Sequence, residues 1–206
     1  HAGISVGEDG ATHQCCEDLA LMRTIPGMVV LNPADHYEML AAVKAAAAYE
    51  GPVYIRLGRL AVESVHNNDD YTFELGKGIT LRDGKDITVV ATGLMVQEAV
   101  KAAQDLEAQG IDARVIDIHT IKPLDVDLLV KAARETGRIV TVEEHNVIGG
   151  LGEAVASCLS EICPTPVTKI GIYDQFGHSG PAVDLLKEFG LSAENIAATV
   201  KKVLSK

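Results

Sequence analysis

Short apolar runs alternating with helix-spaced segments fill this chain from residue 28 onward, and that alternation restricts the fold more than any other feature. Met28-Val29-Val30-Leu31 has the pattern of a buried strand. Asn32-Pro33-Ala34-Asp35 starts a helix over residues 36–49, with Asp35 placed to cap it. Gly51-Pro52 ends that helix, and residues 52–57 put Val53, Ile55 and Leu57 on one face of the next strand. Strand, helix and strand in roughly thirty residues make a βαβ unit, which implies parallel strands and a right-handed crossover.

The same pattern returns after a polar interval at residues 63–78 that contains His66-Asn67-Asn68-Asp69-Asp70. Strands are expected at residues 87–92, 112–118, 138–142 and 166–172. The helices between them carry Val96, Ala99, Val100, Ala103 and Leu106 before Gly110, then a segment capped by Asp125 and stopped by Gly137, then residues 149–163. A last helix is capped by Ser192 and carries Ile196, Val200 and Leu204. This predicts an α/β fold with an open, mostly parallel sheet flanked by helices, in which a ligand sits at the carboxyl ends of strands. The polar interval divides the chain into residues 1–66, a linker at 67–74, and residues 75–206.

Composition narrows the function. The 206 residues are 47% apolar and 23% charged, enough for a sizeable core. A net charge of -11 argues against a nucleic-acid or anionic-membrane partner, because neither is attracted at long range. No apolar run approaches the length of a membrane span. Cys15, Cys16, Cys158 and Cys163 lack metal-ligand or redox-motif spacing and read as reduced, buried thiols of a cytoplasmic protein.

Chemistry is concentrated in a few places. Gly7-Glu8-Asp9-Gly10-Ala11-Thr12-His13-Gln14 packs glycines, carboxylates and an imidazole into one loop-like span ahead of an apolar helical run. Asp9 and His13 are four apart, so a turn can bring a carboxylate and an imidazole to one cavity; equally, Asp9 or Thr12 can cap a helix that begins near Gln14. Arg56 and Arg59 lie at a strand end where a guanidinium can hold a phosphate, or can simply pair with one of the many acids. The glycines of Glu143-Glu144-His145-Asn146-Val147-Ile148-Gly149-Gly150-Leu151-Gly152-Glu153 follow a strand, but not in G-x-G-x-x-G order, so a tight strand-to-helix turn is favoured over a nucleotide site. His1, His36, His66 and His119 carry no signal of their own. No phosphate loop, nucleophile elbow or H-E-x-x-H is present.

The ordered stretches G-E-D-G-A-T-H-Q, R-T-I-P-G-M-V-V-L-N-P-A-D, G-P-V-Y-I-R-L-G-R, T-I-K-P-L-D, V-E-E-H-N-V-I-G-G-L-G and D-Q-F-G-H-S-G together resemble the second half of thiamine-diphosphate transketolases. The resemblance extends over essentially the whole chain and is nearest to the C-terminal subunit of a split transketolase. It implies a C-terminal part of a pyrimidine-binding domain in residues 1–66, followed by a transketolase C-terminal domain. It further implies that His1 and Arg59 contact a substrate phosphate, that Asp9 contacts the C2 hydroxyl of the aldose acceptor, and that His13 sits near the donor ketose; Asp9 and His13 would be the catalytic pair.

The activity implied is transfer of a two-carbon ketol unit from a ketose phosphate to an aldose phosphate, as in the pentose phosphate pathway. Thiamine diphosphate and a divalent metal such as Mg²⁺ would be bound mainly by parts outside these residues, since the aromatic and glutamate contacts to the aminopyrimidine and the G-D-G metal motif have no counterpart here. A partner carrying those parts is therefore expected, together with a homo-oligomer such as a dimer. A site-like loop so near residue 1 raises the expectation that the protein's beginning lies further upstream, and that these residues alone are inactive and expose a sheet edge. Deoxyxylulose phosphate synthases and the beta subunits of 2-oxoacid dehydrogenases share parts of the same pattern, and a non-catalytic assembly module is the alternative from another class.

Overall fold

The computed structural model describes residues 1–66 and 71–205. The first half of the expected linker, residues 67–70, lies outside them. The chain opens with a 3-10 turn at Ile4–Asp9 and then forms α1 (Asp18–Thr24), β1 (Val29–Leu31), α2 (His36–Ala48) and β2 (Val53–Ile55). It continues with β3 (Ile79–Arg82), β4 (Ile87–Ala91), α3 (Met95–Glu107), β5 (Ala113–Asp117), β6 (Thr120–Lys122) and α4 (Val126–Thr136). The last elements are β7 (Ile139–Asn146), α5 (Leu151–Ile162), β8 (Val167–Ile172), α6 (Ala182–Glu188) and α7 (Ala193–Leu204).

The strands form two sheets. The larger has the order β3-β5-β4-β7-β8, parallel throughout except for the antiparallel edge strand β3. Its two faces are buried under different helices. Val89, Val140 and Ile170 pack with Ala99, Leu106 and Val200 on one side, while Val90 and Ile116 pack with Leu129, Leu151 and Leu159 on the other. This double coverage explains why β4 is buried at every residue instead of alternating. The smaller sheet has the order β2-β1-β6, with β1 and β2 parallel and β6 antiparallel to β1.

The expected caps hold where side-chain chemistry dictates them. Asp35 Oδ1 accepts the Glu38 N–H at 3.0 Å, Asp125 Oδ1 accepts the Leu128 N–H at 3.1 Å, and Gly137 leaves α4 with φ 69°. Three differences stand out. The edge strand β3 and the short strand β6 were not expected, because three or four residues show no readable alternation. Expected strand 52–57 shrinks to Val53–Ile55, although the Arg56 N–H still donates to the Leu31 carbonyl of β1 at 2.8 Å. Finally, no helix begins near Gln14: Cys15 forms a parallel bridge with Ala2, and the helix waits until Asp18.

Strand β2 is an edge of its sheet, and among the described residues nothing pairs along its outer side. Leu40 and Val43 on the neighbouring α2 are 43% and 44% exposed. Strand β2 thus presents an open edge beside exposed aliphatics.

Candidate active site

The octapeptide is held in an irregular turn by its glycines. Gly7 and Gly10 have φ of 81° and 78°, a backbone region that side chains bearing a Cβ rarely adopt. Their left-handed geometry turns the chain sharply and leaves Glu8 and Asp9 on the outside, where both are exposed. Neither Asp9 nor Thr12 caps a helix: Thr12 Oγ1 is 3.0 Å from His13 Nδ1, and Asp9 accepts a bond from Arg59. The capping alternative is therefore removed by geometry.

Arg59 and Asp9 meet as a salt bridge, and the same guanidinium lies 3.4 Å from the Val6 carbonyl. Both side chains are close to half exposed, at 45% and 42%, so the pair contributes about 0–1 kcal/mol in water. His1 is exposed, and the residue after it is anchored near the same strand end: the Ala2 N–H donates to the Leu57 carbonyl at 3.1 Å, two residues before Arg59. His13 is exposed at the far end of the octapeptide. The structure thus gathers Asp9 and Arg59 directly and keeps His1 at the same strand end. His13 has a neighbour in Thr12 but no bond to Asp9.

Arg56 has a different role from Arg59. Its side chain is buried, its Nε is 2.9 Å from Asp18 Oδ2, and its Nη2 donates to the carbonyls of Glu144 at 2.8 Å and Cys15 at 3.2 Å. The Tyr54 hydroxyl donates to Asp18 Oδ2 at 2.8 Å. Its Nε and Nη2 are thus committed to protein acceptors, which makes Arg56 a structural anchor and a poorer phosphate ligand than Arg59. It ties α1, β2 and β7 together beneath the octapeptide.

The glycine-rich turn after β7 is equally committed to the protein. Glu143 accepts the N–H groups of Leu151 at 2.6 Å and Gly152 at 2.8 Å, so its carboxylate fills the N-terminus of α5 where a phosphate would otherwise bind. A Cβ at Gly150 would stand 1.9 Å from Glu143 Oε2, which explains the glycine. Burial pushes the Glu143 carboxyl up to about 7 despite those two donors. The preference for a tight turn over a nucleotide site is supported by this self-occupation.

One buried group was not anticipated. His66 Nε2 lies 2.9 Å from Asp117 Oδ2 and 3.5 Å from Glu38 Oε1, and Tyr71 donates to Glu38 Oε1 at 2.7 Å. The Ala34 N–H donates to Glu38 Oε2 at 2.6 Å, while Asp35 Oδ2 accepts the N–H groups of Val65 and His66, each at 2.8 Å. Burial raises the carboxyls of Glu38 and Asp117 to about 9 and about 8. Burial also lowers the neighbouring His119 to about 4. Nothing in the sequence flagged this cluster, because its members come from three separate stretches of chain.

Among the described residues, Glu38, His66 and Asp117 are the only such trio whose donor atoms lie within 4.8 Å of one another. They do not suit Mg²⁺, which takes oxygen ligands and retains several waters, since here an imidazole and two carboxyls are closed off and already bonded to one another or to Tyr71. The α5 N-terminus is likewise filled, by the Glu143 carboxylate. All four cysteines are free, but they are half-buried instead of fully buried; burial lifts the Cys16 thiol to about 12, so it stays protonated.

Two cavities adjoin the site. One of about 380 Å³ is lined by Asn32, Asp35, His36, Arg56, Leu57 and Glu144. The other, of about 330 Å³, is lined by Gln14, Cys16, Glu17, Asn146, Gln175 and Phe176. None of His1, Asp9, His13 and Arg59 lines either one, and all four are exposed.

Sequence profiles decide the family. The profile described as "Transketolase, C-terminal domain" matches residues 76–196, and that described as "Transketolase, pyrimidine binding domain" matches residues 1–64. The chain belongs to the transketolase family. It is 46% identical to a putative transketolase C-terminal section from Methanocaldococcus jannaschii, covering 100% of this chain and 65% of that protein. A solved split-gene transketolase, described as an inactive beta4 tetramer, superimposes with a TM-score of 0.92 at 53% identity, covering 100% of this chain and 65% of that one. The chain is also 42% identical to a 1-deoxy-D-xylulose-5-phosphate synthase from Heliobacterium modesticaldum, over 98% of this chain and 31% of that protein. It spans somewhat less than two thirds of the length of the first curated relatives it matches. No helix among the described residues is long and apolar enough to cross a membrane.

Proposed function

We propose that this transketolase-family chain supplies the substrate-facing edge of an enzyme that transfers a two-carbon ketol unit from a ketose phosphate to an aldose phosphate. The single observation that carries this reading is the meeting of the half-exposed Arg59 and Asp9 side chains just beyond the end of β2. An exposed ion pair is weak enough for a phosphate dianion to displace it. Arg59 then turns to the phosphate with His1 nearby, which leaves the Asp9 carboxylate free to accept from a sugar hydroxyl. His13 donates to or takes a proton from the substrate near neutral pH.

In this reading the carbanion chemistry belongs to thiamine diphosphate, held with its divalent metal by a partner subunit or domain. The relatives support a partner: the M. jannaschii protein is named as a C-terminal section, and the solved neighbour is described as a split-gene transketolase in an inactive beta4 tetramer. Residues 1–66 would then be the pyrimidine-binding portion, 67–74 the linker and 75–206 the C-terminal domain. Free cysteines and the acidic surface fit a cytoplasmic setting.

The test is turnover of the protein assembled with its N-terminal partner, thiamine diphosphate and Mg²⁺. Ketol transfer between sugar phosphates is expected, together with a large loss in Asp9→Ala and Arg59→Ala. Pyruvate consumption without ketol transfer would instead establish the synthase, which the Heliobacterium relative favours.

A further inference from the structure

The octapeptide is touched from below by the opposite end of the chain. After β8, residues 174–181 run back across the 3-10 turn before α6 begins, and they meet it at several points. The Gln14 amide nitrogen is 2.9 Å from the His178 carbonyl, 3.1 Å from that of Gly7 and 3.2 Å from that of Ile4. Two hydrogens thus serve three carbonyls, two in the turn and one in the returning loop. Ser179 Oγ donates to the Glu8 carbonyl, next to Asp9.

The backbones also fit closely. A Cβ at Gly177 would stand 2.0 Å from Gln14 Oε1, one at Gly10 would stand 3.5 Å from the Ser179 backbone N, and one at Gly7 would stand 3.4 Å from the Gly180 carbonyl. Gln14 is 6% exposed, and its Oε1 is buried without a hydrogen-bond partner. A buried amide left half-satisfied costs stability, and its position at this seam indicates that the register of the two loops is held for a purpose beyond packing.

We propose that residues 174–181, through Gln14 and Ser179, are a positioning element for the substrate site: they fix the backbone on either side of Asp9, so that the C-terminal segment sets where the Asp9 carboxylate stands toward the aldose acceptor. This rests on the proposed role of Asp9. Gln14 and Ser179 are positioning residues, since neither contacts the open surface where Arg59 and Asp9 meet. Misplacing a substrate-contacting group by about 1 Å can cost roughly a hundredfold in rate, so loosening this seam has kinetic leverage without unfolding anything.

The experiment uses the enzyme assembled with its partner and cofactor, and compares Ser179→Ala, Ser179→Thr, Gln14→Glu and Asp9→Ala. Ser179 is exposed, so its removal leaves folding intact. The expected result for Ser179→Ala and Gln14→Glu is a loss of about tenfold in kcat/KM for the aldose acceptor, with donor KM held within about twofold. The Ser179→Thr variant retains a hydroxyl and is expected to recover most of the acceptor rate. Unchanged acceptor kinetics in Ser179→Ala and Gln14→Glu, with Asp9→Ala impaired, would overturn the positioning role and leave the site reading standing. A silent Asp9→Ala would remove the site reading itself, and the positioning role with it.

Discussion

Two arginines three residues apart illustrate how burial assigns function to identical side chains. Arg56 is 3% exposed and bonded to Asp18 and two carbonyls, whereas Arg59 is about half exposed and held only by a weak pair to Asp9 and a long contact to Val6. The sequence presented both as candidate phosphate ligands, because position at a strand end does not reveal which side chain turns inward. Asp18, the residue that claims Arg56, lies 38 positions earlier in the chain. Asp18→Asn strands the buried guanidinium opposite a neutral amide. A loss of about 3–5 kcal/mol is expected by denaturant unfolding. Arg59→Ala, in contrast, is expected to leave stability within about 0.5 kcal/mol while reducing turnover on phosphorylated substrates, as measured in the assembled enzyme.

At the level of elements, legibility followed local chemistry. The helices announced by an aspartate or serine and closed by a glycine were readable, because a cap is decided within four residues. Asp125→Ala tests this directly. It removes the bond to Leu128 and a second one that Asp125 Oδ2 accepts from the Gly78 N–H at 3.0 Å, so thermal unfolding should show a loss of about 1–2 kcal/mol. The short strands were unreadable for the opposite reason: β3 and β6 exist only because distant strands offer edges to them. The turn after β7 was half-legible. Its glycines suggested a tight turn, but the need for each comes from a different distant neighbour: Ala20 at Gly149, the Glu143 carboxylate at Gly150, and Lys169 with Thr141 at Gly152.

For the whole molecule, the cluster of Glu38, His66 and Asp117 links α2, the segment after β2, and the end of β5. The groups facing one another there are these three, the Tyr71 hydroxyl and the nearby Asp35 carboxylate. Burial raises Glu38 from 4.5 to about 9 and Asp117 from 3.8 to about 8, so the folded protein holds protons that the unfolded chain gives up near pH 4. The stabilising proton uptake is complete below the unfolded values and is lost as pH rises through the folded ones. Each such group contributes a slope of up to about 1.4 kcal/mol per pH unit inside that window. The melting temperature is therefore expected to fall between pH 6 and pH 9, and Asp117→Asn should flatten the profile. A profile that instead rises through that range would contradict this account of the cluster.

Strand β6 follows β5 by only two residues yet leaves that sheet to lie antiparallel on β1, whose other neighbour is β2. The two segments flanking residues 67–70 are thus stitched by a ladder of backbone bonds as well as by side-chain contact. Cutting the connecting peptide would nick the chain without parting it: both pieces would stay together on a sizing column and melt in one step.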